Sequence, residues 1–160
     1  MRNIHILCVG KLKEKFYISA VTEYAKRLSA YCDLRIIELP EERLPQTPSQ
    51  AQIDAALAKE AVVIRSKLPP SSAVVALCVE GKLRSSEELT AMMEDWTTTA
   101  SKHLVFLIGG SYGLDENLKR DAWVRLSMSP MTFPHHLARV MLLEQIYRAF
   151  KIGEGSSYHK

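Results

Sequence analysis

Apolar residues gather in five short runs rich in β-branched side chains: Ile4 to Val9, Leu34 to Leu39, Val74 to Val79, Leu104 to Ile108 and, more weakly, Trp123 to Leu126. Their length and bordering polar residues predict strands. Between them the spacing changes to three and four residues. Phe16, Tyr17, Ala20, Val21, Tyr24 and Leu28 make one such face, Ile53, Leu57, Ala61 and Ile64 a second, and Leu89, Met92, Met93 and Trp96 a third. That spacing predicts helices with one apolar side. Strands alternating with helices of this length predict a mostly parallel sheet covered on both faces. The expected fold class is therefore α/β: a single three-layer domain over residues 1–160.

The last predicted helix differs from the others. From Leu137 to Phe150, ten of fourteen residues are apolar or aromatic. Glu144, Gln145 and Arg148 share one side of it, while Arg139 falls on the opposite side among Leu143, Ile146 and Phe150. A guanidinium facing apolar surface needs an anionic partner or a route to water. A helix apolar around most of its circumference also calls for burial on more than one side, which a symmetric dimer or a monomer's core supplies equally. "PEERLPQTPSQ", residues 40–50, carries three prolines and predicts an irregular connection, too short to divide domains.

Composition narrows the function classes. With 47% hydrophobic and 24% charged residues the chain has the makeup of a folded domain rather than a disordered one. No apolar run approaches the roughly 20 residues of a membrane helix, and "MRNIHILCVGK" is too short and strand-like for a signal peptide. A cytoplasmic protein without membrane attachment is expected. Cys8, Cys32 and Cys78 are odd in number and lack C-x-x-C spacing, which points to no disulfide framework and no metal site. The net charge of +3 does not identify a nucleic-acid binder. Two local clusters, "KLKEK" at 11–15 and Arg139, Arg148, Lys151 and Lys160 near the end, fit either a solvated face or a phosphate-contacting surface.

Candidate chemistry centres on "HLVFLIGGSYGLDENL", residues 103–118. Gly109 to Gly113 fits G-x-S-x-G after a predicted strand, the setting of a hydrolase nucleophile. Asp115 or Asp121, then His135, His136 or His159, follow Ser111 in the chain order of such a triad. The length is short for that fold, and no HGGG-type segment is present for an oxyanion hole. A ligand-cradling turn at a parallel strand's carboxyl end fits the same glycines. Neither a dinucleotide-binding nor a P-loop motif occurs. Met128 to Phe133 predicts a second ordered loop, running into a helix whose first turn holds His135 and His136. There the helix dipole disfavours the imidazolium form.

These segments together, "ILCVGKLKEKFY", "IGGSYGL", "MTFPHHLARVMLLEQIYRAFKI" and the terminal "YHK", resemble the bacterial RlmH family of ribosomal RNA methyltransferases. The likeness runs in register over essentially the whole chain. It implies the SPOUT class, α/β enzymes whose C-terminal chain forms a trefoil knot, and a homodimer in which one subunit's tail lies beside the other's cofactor pocket. It further implies methyl transfer from S-adenosylmethionine to N3 of a pseudouridine in 23S rRNA, within the assembled ribosome. The family commonly has proline at the place of Ser111, so a nucleophile is not needed there.

Carried over position by position, the resemblance assigns the cofactor to Leu77, Gly109, Gly110, Met128, Ser129, Pro130, Met131, Thr132 and Phe133. The substrate side falls to His135, Arg139, Glu144, Tyr147, Arg148, Tyr158, His159 and Lys160. His159 and His135, then Glu144, are candidate bases; Arg139, Arg148 and Lys160 would hold phosphates; Tyr147 or Tyr158 would stack on a base. This chain departs from the family at Cys78, where aspartate is usual, and Pro130 stands in a variable place, without an N–H. Noncatalytic RNA or ribosome binding on the same fold, and serine hydrolysis at Ser111, are the alternative functions.

Overall fold

Strands and helices alternate without exception in the computed structural model, which describes residues 2–159. The order is β1 (Arg2–Val9), α1 (Lys15–Leu28), β2 (Cys32–Leu39), α2 (Gln50–Lys67), β3 (Ser72–Leu83), α3 (Ser86–Thr97), β4 (His103–Ile108), α4 (Glu116–Asp121), β5 (Val124–Ser127) and α5 (His135–Gly153). Two helix starts are fixed by reciprocal caps. Ser49 accepts from the Gln52 N–H while the Gln52 side chain accepts from the Ser49 N–H, and Ser85 and Glu88 do the same for α3. Each box satisfies two backbone donors that a helix start otherwise leaves open.

The five strands form one sheet in the order β2-β1-β4-β3-β5, every neighbouring pair parallel. Side-chain alternation along the strands sends successive residues to opposite faces. Ile4, Ile6 and Cys8 of β1, with Leu104 and Phe106 of β4, pack against α1, α3 and α5. Leu7 and Val9, with Val105 and Leu107, pack against α2 and α4. The result is the expected three-layer α/β domain. Burial pushes the Cys8 thiol up to about 12 and the Cys32 thiol up to about 11, so neither is a thiolate at neutral pH.

β3 outruns the apolar run that predicts it. It continues to Leu83, with a register break against β5 between Leu77 and Lys82. Through that break the strand runs over Glu80, Gly81 and Lys82, where no hydrophobic alternation signals it. Among the described residues no helix is long and apolar enough to cross a membrane.

Candidate functional site

Because all strands are parallel, their carboxyl ends share one edge of the sheet, where open α/β sheets take ligands. The chain leaving β3, β4 and β5 encloses a cleft of about 700 Å³ there. That lies within the roughly 300–1,000 Å³ of small-molecule and cofactor sites. Leu77 of β3, Gly109 and Gly110 after β4, and Met128, Ser129, Met131, Thr132 and Phe133 after β5 all line it. Pro130, assigned to the same group, is exposed and is not part of the lining.

The turn after β4 depends on its glycines. Gly110 and Gly113 form a short antiparallel bridge, and Gly113 adopts a positive φ of 81°. A Cβ on Gly109 would lie 2.3 Å from the Gly113 carbonyl oxygen, so only glycine fits. Glu41, from the proline-rich connection after β2, accepts the Ser111 N–H at 2.9 Å and braces the turn from outside. Ser111 itself is exposed. Asp115 caps α4 through the Asn117 and Leu118 N–H groups, and Asp121 pairs with Arg65 at 3.0 Å. Among the described residues no hydrogen bond joins the Ser111 hydroxyl to a histidine, so the triad that the motif permits is not assembled.

Sequence patterning gives no signal for the polar wall of the cleft. Glu80, in the irregular half of β3, pairs with Lys119 of α4, and Lys119 also meets Glu116 at 2.8 Å. The Lys119 hydrogen bond draws the Glu80 carboxyl below the usual range. Burial works against the charged Lys119, but Glu116 and Glu80 hold its pKa above the ordinary value. Cys78 lines the cleft beside them, its thiol pushed up by burial.

His135 lines the cleft from the first turn of α5. Burial and then the neighbouring His136 charge lower its pKa, so the ring is neutral at pH 7. Its Nδ1 is buried with no hydrogen-bond partner. Four residues on, Arg139 is 1% exposed. Its guanidinium donates to Glu38 at 2.6 Å and to the Gly10 carbonyl at 3.2 Å. Of the two resolutions the sequence leaves open for this arginine, an anionic partner or a route to water, the fold supplies the first, Glu38 near the end of β2. So enclosed, the guanidinium is engaged with the protein itself, while its Nε is buried without a hydrogen-bond partner.

The remaining substrate-side residues form a second cluster. Arg148 donates to Glu144 at 2.5 Å, its guanidinium carbon lies 4.9 Å from the Tyr158 ring centre, and Tyr147 meets Tyr158 edge-on at 5.1 Å. His159 contacts Glu87 at 2.7 Å and Arg148 at 3.1 Å. Burial, then the Glu144 charge, raises the Tyr158 pKa. Lys160 lies outside the described residues. Within one chain, none of these five lines the cleft that holds His135.

Similarities to known proteins agree with this geometry. The family described as "Predicted SPOUT methyltransferase" matches residues 2–159. Proteins named ribosomal RNA large subunit methyltransferase H from Listeria welshimeri and Listeria monocytogenes are 42% and 43% identical, over 99% of this chain and 99% of their own. A solved structure of a probable methylase family protein from Haemophilus influenzae Rd KW20 shares the fold. Its TM-score is 0.54 at 13% identity, over 96% of this chain and 67% of that one. With a family match over nearly every residue and full-length relatives well above 30% identity, the chain belongs to the SPOUT methyltransferase family.

Proposed function

We propose that this protein methylates N3 of a pseudouridine in 23S rRNA of the assembled ribosome, using S-adenosylmethionine and acting as a cytoplasmic homodimer. The observation that carries the cofactor is the meeting of three chain segments, from β3, β4 and β5, around one cleft with an apolar floor. Backbone groups of the β4 turn and of the loop after β5 border that cleft, and they suit a nucleoside gripped largely by main chain. Bound there, S-adenosylmethionine supplies a methyl group already activated on a sulfonium. The protein's own task is to align the acceptor nitrogen and exclude water. The names of the full-length relatives support ribosomal RNA as the substrate. The trefoil knot belongs to the same proposal, as the family's way of holding these loops together.

The N3 proton must leave, because a neutral imide nitrogen has no free lone pair with which to attack. His135 is neutral and lines the cleft, Glu144 lines a neighbouring pocket, and His159 lines neither within one chain, so that it would act from a second subunit. No residue from His135 to Ile152 is fully exposed even in one chain. Its half-buried Leu137, Val140 and Met141 provide apolar surface for a second copy. Arg139 then acts as a positioning residue: it fixes the start of α5, and so His135, against β2 and the loop after β1.

Calorimetric titration of S-adenosylmethionine, with S-adenosylhomocysteine alongside, tests the proposal. Saturable binding near one site per subunit or per dimer, followed by methyl transfer to ribosomes, is the expected result. Well-folded protein that binds neither compound would overturn it and favour noncatalytic RNA binding, with Cys78 the first suspect for a damaged pocket.

A further inference from the structure

At the edge of the cleft β3 leaves its partner and then returns to it. Leu77 and Lys82 both stand opposite Leu126 of β5, so Cys78, Val79, Glu80 and Gly81 form an excursion that the strand pairing does not use. Extra residues of this kind re-aim side chains, and they gather beside active sites. The base of the excursion is pinned. A Cβ on Gly81 would lie 2.8 Å from the Leu126 carbonyl carbon and 2.9 Å from the Leu126 nitrogen, and backbone that close leaves room for glycine alone.

Among the described residues Glu80 is the one carboxylate lining the cleft. Cys78, which lines it too, offers only a protonated thiol. Lys119 of α4, with 11% of its side chain exposed, pairs with Glu80 and is itself held by Glu116 one turn earlier. The carboxylate is therefore oriented, while 52% of its side chain stays open. An ion pair that only tied α4 to β3 would contribute little with so exposed a partner. α4 packs on the sheet face opposite α5, away from the apolar surface offered to a second copy.

An oriented carboxylate in a nucleoside cleft selects among the donors of an adenosyl group. The adenine edge sets one donor beside one acceptor, which main-chain carbonyl and N–H groups match. The ribose sets two hydroxyl donors side by side, which one carboxylate matches with its two oxygens. Dinucleotide-binding sheets place an acidic side chain on a ribose hydroxyl for the same reason. Resting on the methyltransferase function proposed above, we propose that Glu80 accepts the ribose hydroxyls of the cofactor, with Lys119 as the positioning residue that fixes the carboxylate.

Calorimetry on the full-length protein tests this with four ligands: S-adenosylhomocysteine, its 2′-deoxy and 3′-deoxy analogues, and 5′-methylthioadenosine, which keeps the diol but has no ammonium. In the wild type, removing either hydroxyl should weaken binding about tenfold, the scale of one hydrogen bond to a charged group. Glu80→Ala should weaken S-adenosylhomocysteine and 5′-methylthioadenosine alike, by about tenfold or more, and erase the difference between the parent compound and its deoxy analogues. Glu80→Gln, which keeps the shape and one acceptor, should lie between. Lys119→Met should shrink the deoxy penalty, and Lys119→Arg should restore part of it. Deoxy analogues that bind the wild type as tightly as S-adenosylhomocysteine overturn the ribose role alone, as does a deoxy penalty unchanged in Glu80→Ala and Glu80→Gln. A loss confined to S-adenosylhomocysteine, with 5′-methylthioadenosine unaffected, assigns Glu80 to the ammonium and overturns it as well. Wild-type protein that binds none of the four would instead sink the methyltransferase function.

Discussion

Replacing Arg139 by methionine separates its structural role from the phosphate role that the resemblance implies. The substitution keeps most of the apolar stem but strands the Glu38 carboxylate and the Gly10 carbonyl. Removing one partner of a buried ion pair costs about 3–5 kcal/mol. Here Glu38 keeps 35% of its side chain exposed and can partly rehydrate. It also retains the Leu12 N–H at 2.9 Å. The low end applies, about 3 kcal/mol. For a domain of this size that is a fall in Tm of about 6–12 °C. Urea unfolding at one fixed protein concentration, with the slope unchanged, is the assay. Adding Glu38→Gln should cost less than its single effect, because the pair acts as a unit. If Arg139→Met stays within about 0.5 kcal/mol of wild type while KM for ribosomes rises, the arginine serves the substrate and the structural argument fails.

Exchanging Ser111 for alanine should leave methyl transfer within about twofold of wild type, since the hydroxyl serves no triad; complete loss in a folded variant would revive a catalytic serine. Gly109→Ala drives a Cβ into the Gly113 carbonyl at 2.3 Å, and should abolish cofactor binding in calorimetry; unchanged affinity would show that the turn can open. His159→Ala should cut turnover on ribosomes at least about tenfold with cofactor affinity retained, and wild-type turnover would remove His159 from the site. Acid stability should fall in two steps. The lowered pKa of His135 means that the unfolded chain takes its proton first, so stability declines as pH drops below 6.5. Burial raises the Glu38 pKa, but the Leu12 N–H and Arg139 outweigh it and the net shift is downward. Its contribution is therefore complete above pH 4.5 and is lost as pH falls through the folded value. Urea midpoints across pH should lose the upper step in His135→Asn and the lower one in Glu38→Gln; steps unchanged by either variant would reject the assignment.

What the sequence determined by itself is local or periodic. Five apolar runs became five strands, with boundaries moved by one or two residues at β1, β2, β4 and β5, and by two at the start and four at the end of β3. Three- and four-residue spacing located α1, α2, α3 and α5 but not the short α4, and the placement of Arg139 on the apolar side of α5 called for an anionic partner or a route to water. Burial on both faces of a parallel sheet imposes such patterns on every residue it covers. The two loops of the cleft were legible from their glycine and proline motifs, but which of their residues would meet a cofactor came only from the family resemblance, because hydrophobic periodicity does not reach into turns. Tertiary structure alone decided who meets whom. Glu38 is 101 residues from Arg139, Glu41 is 70 from Ser111, and Glu80 is 39 from Lys119. Such pairings carry no period and no fixed spacing, since each side chain finds its partner only after the sheet has brought their strands to the same edge.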